Sequence, residues 1–142
     1  MSVAAQSAIR AWINASPLVG DGNPLSRGAY LREQRSPADG SYCVLSRNSE
    51  GVGDLVAEDA VFTRARIQAL VYAGTEEAAE TSAAALRSAF EALQGLPALC
   101  GTTGIKIMVA ENHIGPLLIP IAPDSGEIYC FQVGADFILV GS

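Results

Sequence analysis

Aromatic side chains make up only 6% of this 142-residue chain, so its interior cannot be assembled around large rings. Hydrophobic residues still reach 49%, with alanine and valine supplying much of the count, which predicts thin, closely packed layers. That apolar content is ample for one domain spanning residues 1–142. Basic residues are also scarce, nine against fifteen acidic ones, for a net charge of -6. This balance argues against a groove that binds nucleic acid by neutralising phosphate, because that mode needs a clustered positive surface. No apolar run approaches the length that spans a bilayer. The first fifteen residues carry Gln6, Arg10 and Asn14 in an amphipathic pattern rather than a signal sequence, so the expected location is a cytosol.

Catalytic and ligand motifs are missing as well. Cys43, Cys100 and Cys130 are odd in number, widely spaced and set among apolar neighbours, the pattern of buried reduced thiols. There is no CxxC pair, and His113 is the only histidine, so the usual zinc spacings are absent. "GDGNPLSRG" and "GTTG" hold glycines without the GxxxxGK[ST] spacing that cradles phosphate. No GxSxG elbow occurs. The sequence predicts no enzyme, no cofactor and no metal.

What is present is a succession of patterned segments. Val3, Ile9, Trp12 and Ile13 share a helical stripe over residues 2–15, with Ser2 as cap. Turn chemistry follows, then a short strand at "AYLREQ" and a better one at "YCVLSR". Residues 48–60 have no periodicity and carry Glu50, Asp54, Glu58 and Asp59 around Leu55 and Val56, which reads either as a plain hairpin tip or as a functional loop. Residues 61–73 alternate as a long strand. Thr75 then caps a helix over 76–94, which Gly95 and Pro97 stop. The small face of the long strand, Ala65, Ala69 and Ala73, suits close packing by this helix. "IKIMVAE" alternates as a strand. "GPLLIPIAP" is extended, and its three prolines place it at a sheet edge or outside the sheet. Residues 127–140 form a last strand that would run about 45 Å unbroken, against about 37 Å across a sphere of this mass. The expectation is that it bends at Gly134 or leaves the domain, and that long strands of this kind pair with neighbouring copies.

The other face of strand 61–73 carries Arg64, Arg66 and Gln68. Two arginines in step either lie on a solvated sheet face or meet carboxylates of an adjoining subunit, with the 48–60 loop as donor. Arginine's planar fork suits such pairs, and eight of the nine basic residues are arginine. Asp136 lies in an otherwise apolar strand, so it either faces outward or pairs with an arginine on a neighbouring strand or subunit. The expected interface residues are therefore Leu55, Val56, Glu58, Asp59, Arg64, Arg66, Gln68 and Asp136.

In element order the chain resembles the tail terminator, or tail completion, proteins of long-tailed bacteriophages. The resemblance runs from about residue 3 to 140 through "GSYCVLSR", "TRARIQALVYAGTEEAAETSAAALRSAFEALQG", a "GP"-containing extended segment and "IYCFQVGADFILV". It implies an α+β fold, with helices packed on one face of a mainly antiparallel sheet and extended loops for subunit contacts. It further implies a structural virion protein at the head-proximal end of the tail, assembled in the host cytoplasm. Six copies would close a ring that caps the major tail tube protein, stops its polymerisation and offers its other face to the head-tail connector or neck protein. DNA would pass through the ring without specific binding, and no membrane would be involved. Phage head-completion and neck proteins share this size and texture and form the alternative. A small enzyme or binding module using Asp136, His113 and Cys130 forms a third.

Overall fold

A computed structural model of the chain describes residues 5–32, 40–48, 56–57, 60–120 and 129–141. Helix α1 (Ala5–Asn14) buries Ala5, Ala8, Ile9 and Ile13 at the three- and four-residue spacing of one helical face. Its C-terminal end is tied down by Asn14, whose side chain accepts from the Ala29 backbone N–H at 2.8 Å and donates to the Ala29 carbonyl at 3.2 Å. Both bonds go to strand β1 (Gly28–Tyr30), which runs parallel to β2 (Tyr42–Asn48). Strand β3 (Val56–Ala57) pairs with the start of β4 (Ala60–Ala73). Helix α2 (Glu76–Glu91) follows, then β5 (Gln94–Leu99), β6 (Lys106–Ile119) and β7 (Tyr129–Val140).

The fold is α+β, with two helices and a mostly antiparallel sheet ordered β1-β2-β4-β7-β6-β5; β3 pairs with β4 off this path. β7 is its spine. It pairs with β4 through twelve consecutive partners, from Phe62↔Val140 to Ala73↔Tyr129, and with β6 along its other edge. The long strands are thus partnered by each other inside the chain. β7 is neither broken at Gly134 nor projected away, because Gly134 stands in step opposite Gln68. The spherical estimate misled here: the domain is elongated along three long strands, so a strand of about 40 Å fits within it.

Alternation along β4 places Ala65, Ile67, Ala69, Val71 and Ala73 in the core, all no more than 1% exposed. Val133, Ala135, Phe137 and Leu139 of β7 join them, with Ala79, Ala83, Leu86 and Phe90 of α2. The few aromatic rings are concentrated. Phe90 meets Phe137 edge-on at 4.9 Å and Trp12 of α1 at 6.0 Å. α2 lies mainly over β7 and β6 and less over β4. The Gly74-Thr75 connection carries the chain past its own strand to the central one, where Phe137 supplies a larger surface than the β4 alanines. Thr75 caps α2 as its sequence position predicts, its hydroxyl accepting from the Ala78 N–H at 3.1 Å.

Three sequence expectations change. The 48–60 segment is not wholly irregular, because Val56 and Ala57 pair back onto Val61 and Ala60. The helix expected over 76–94 ends earlier, at Glu91 with Ala92 as its C-cap, and Gly95 and Pro97 lie beyond it within an edge strand, β5, a position that tolerates proline. The segments "IKIMVAE" and "GPLLI" form one strand, β6, interrupted by register slips rather than by a break.

All three cysteines are buried and none is in a disulfide. Burial pushes the thiol of Cys43 up to about 12 and that of Cys100 up to about 11, so neither supplies thiolate at neutral pH. The native protein is expected to leave a colourimetric thiol reagent unreacted, and the denatured chain to react at all three positions. Fast labelling of the native state would contradict this burial.

Candidate functional site

On the sheet face opposite the β4 core residues, β4 carries Arg64 and Arg66, β7 carries Asp136 and β6 carries Glu111. The register sets Arg66, Asp136 and Glu111 in one row across the three strands. The Asp136 side chain is only 3% exposed. Arg66 grips it with both arms of its fork, Nε to Oδ1 at 2.7 Å and Nη2 to Oδ2 at 3.1 Å. Asn112 of β6 donates Nδ2 to Oδ2 at 2.9 Å, and Arg64 reaches the same oxygen at 3.5 Å. Arg64 also meets Glu111 at 3.1 Å.

Asp136 therefore pairs with arginines on a neighbouring strand, one of the two readings its sequence position allowed; it lies on the face away from the helix-side core residues but is covered there rather than solvated. Arg64 and Arg66 meet carboxylates of their own chain, Asp136 and Glu111. Leu55, Glu58 and Asp59 lie outside the described residues, and Val56 is placed by its backbone in β3. Gln68 sits one alternation from Arg66 on the same face, opposite Gly134, and is half-buried.

Hydrogen bonds from Arg66, chiefly, hold the Asp136 carboxyl below the usual carboxylate range. Burial opposes them, while the Asn112 bond and the charges of Arg66 and Arg64 help. The same bond raises the guanidinium of Arg66. A carboxylate so thoroughly bonded is a poor proton acceptor. The cluster can brace three strands; its two arginines and two carboxylates balance in formal charge, and each arginine side chain remains 34% exposed. His113 is not part of it: both imidazole nitrogens are buried and lack a partner among the described residues. Among those residues, no group of three or more His, Cys, Asp or Glu is placed to hold a metal, and no helix is long and apolar enough to cross a membrane.

A ring cluster and a groove escaped the sequence reading. The cluster lies on the β1-β2-β4 side, with the buried Tyr42 stacked on Tyr72 at 5.2 Å and edge-on to Tyr30 at 6.0 Å. An apolar groove of about 570 Å³ opens between the C-terminal ends of α1 and α2, lined by Trp12, Pro17, Leu18, Leu93 and Leu99. Leu99 is 64% exposed at its lip; Leu117, Leu118 and Tyr129, at 51%, 52% and 39%, are exposed at the far end of β6 and β7. Neither set was legible as surface, because a leucine's strand face depends on bulges that periodicity does not report. Asn112 gave a weak signal: asparagine is unfavourable within a strand and marks irregularity there.

No protein-family model and no curated protein sequence matches the chain.

Replacing Arg66 with alanine is expected to lower folding stability by about 2–3 kcal/mol in denaturant titration, the low end for breaking a buried pair because the arginine is partly solvated. The pH dependence has a definite sign. Since the folded-state pKa of Asp136 is depressed, its stabilising contribution is full above the ordinary carboxylate range and is lost as pH falls through the depressed value. Asp136→Asn should therefore be less stable than wild type at neutral pH, with the gap closing as pH falls below the ordinary carboxylate range and through the depressed value. A gap that stays constant over that window would show that the charge contributes nothing.

Proposed function

We propose that the protein is a structural assembly subunit of a long-tailed phage, forming a ring that caps the tail tube, ends its polymerisation and joins tail to head connector. The reading rests on the resemblance in element order and is supported by an α+β subunit with a mostly antiparallel sheet. We further read both helices as lying on one face of that sheet. Trp12, Phe90 and Phe137 link α1, α2 and β7 in one aromatic file, and the buried apolar residues of both helices join a single core. The opposite face, with Arg64, Arg66 and the tyrosine cluster, is then left for a neighbour.

The observation that carries the ring is the placing of the exposed apolar residues. Leu99 stands opposite Lys106 at the start of β6, with the groove beside it; Leu117 and Leu118 stand at the other end of the same strand, about 28 Å away by the rise of the unslipped β7 alongside. Two unlike patches at opposite ends cannot satisfy each other within one chain. They suit a heterologous contact, in which one patch of each copy meets the other patch of the next and the chain of contacts closes on itself. Arg64 and Arg66, each 34% exposed beside their own carboxylates, also offer N–H groups to acidic segments of an adjoining copy, with Glu50, Asp54, Glu58 and Asp59 as their partners. A ring of acidic subunits would repel DNA and let it slide through its opening.

Light scattering coupled to size exclusion tests the contact: Leu117→Asp with Leu118→Asp, and separately Leu99→Asp, should each reduce the protein to monomer without unfolding it. An unchanged oligomer in both cases would remove these patches from the interface. For the function itself, deleting the gene in the producing phage should give tails of uncontrolled length. Tails of normal length beside unjoined heads would instead assign the protein to the neck.

A further inference from the structure

β6 repeatedly loses step with its neighbour. From Lys106↔Val140 to Ile119↔Cys130 it takes thirteen residue steps against ten of β7, slipping between Ile107 and Val109, between Glu111 and Ile114, and between Ile114 and Leu117. β7 keeps step with β4 over the same length, so the irregularity belongs to β6 alone. Each extra residue bends a strand and re-aims the side chains beyond it. Past the second and third slips, Leu117 and Leu118 are adjacent in sequence yet both about half exposed, at 51% and 52%. Strict alternation of a strand over a core would have hidden one of them.

The middle slip is fastened by the buried carboxylate. Asn112 has φ of 54°, a left-handed conformation that asparagine tolerates better than most residues but does not prefer. Its side chain donates to Asp136 at 2.9 Å, and Asp136 is itself fixed to β4 by the double bond pattern from Arg66. The third slip has a separate fastening. Arg87 of α2 donates to the carbonyl of Gly115, whose φ is 88° and where a Cβ would collide with the carbonyl oxygen of Gln132. β5 accompanies only the near part of β6, from Lys106 to Val109, so no strand among the described residues holds the far part from its outer edge.

We propose that Asp136 and Asn112 form a register latch, in which the carboxylate anchored on β4 holds the bulge at Asn112 and so fixes how residues 113–119 of β6 are presented. Both are positioning residues: they set the direction of Leu117 and Leu118 from a distance and touch neither. The rest of the cluster follows from this role. Arg66 locks the carboxylate from β4, Arg64 and Glu111 close over it from either side, and the neighbouring His113 does not bond to it. Without the link, the far half of β6 loses its fixed register against β7 while the unslipped β4–β7 ladder persists. The inference concerns the conformation of the subunit and stands whether or not the ring reading does.

The test is peptide-resolved amide hydrogen exchange on the full chain, with two variants of the half-solvated Asn112 rather than of the buried acid. Asn112→Ala removes the bond; Asn112→Gly also removes it but leaves the left-handed backbone conformation easy to adopt. Both are expected to raise exchange in residues 113–119 by about tenfold or more, with residues 62–73 changed by no more than about twofold. Wild-type exchange in 113–119 in either variant would overturn the latch, because the backbone alone would then be holding the bulge. An equal rise in 62–73 would overturn it too, reducing Asn112 to a contributor to global stability.

Discussion

A strand hydrogen-bonded along both edges for its whole length dictates what its neighbours can do, and β7 imposes that constraint here. Its twelve-residue ladder with β4 admits no slip, so every β4 side chain is committed to one face. The small residues Ala65, Ala69 and Ala73 then all point inward and the arginines all point outward. One residue of slippage would bury two guanidinium groups and expose the core. Along the edge of β7 the loss of step falls on β6, which absorbs three extra residues.

Within that frame the buried carboxylate is expensive and fully compensated. Asp136 occupies the central strand, where water cannot reach it, and an unpaired charge there would be costly. Its position opposite Arg66 in the unslipped ladder gives it a bidentate partner by geometry alone, and the slip in β6 brings Asn112 within reach from the other side. Such a cluster contributes less to net stability than to specificity: it is satisfied in only one pairing of the three strands.

The same economy separates the two ends of the molecule. At one end of β6 the apolar surface is concave, a groove between helix ends beside Leu99; at the other it is a projecting pair of leucines with Tyr129. On the sheet face between them the charges of Arg64 and Arg66 are balanced by Asp136 and Glu111.

By itself the sequence determined the elements whose periodicity is strong and local. The α2 helix with its Thr75 cap, the two-faced strand over 61–73 and the buried reduced cysteines follow from spacing and composition, because helix caps and alternation depend on residues close in the chain, whereas the α+β class was what the resemblance implied. Asp136 announced that it needed explaining, since an acid in an apolar strand always does. Only the tertiary structure decided who answers it, because Arg66 lies seventy residues away and is brought opposite by the β4–β7 register. Tertiary structure alone also joined "IKIMVAE" to "GPLLI" as one bulged strand, made an edge strand of the residues around Pro97, and turned Leu117 and Leu118 toward the surface. Those outcomes depend on which strands become neighbours and where the pairing slips, and neither quantity is written in the local pattern of any one segment.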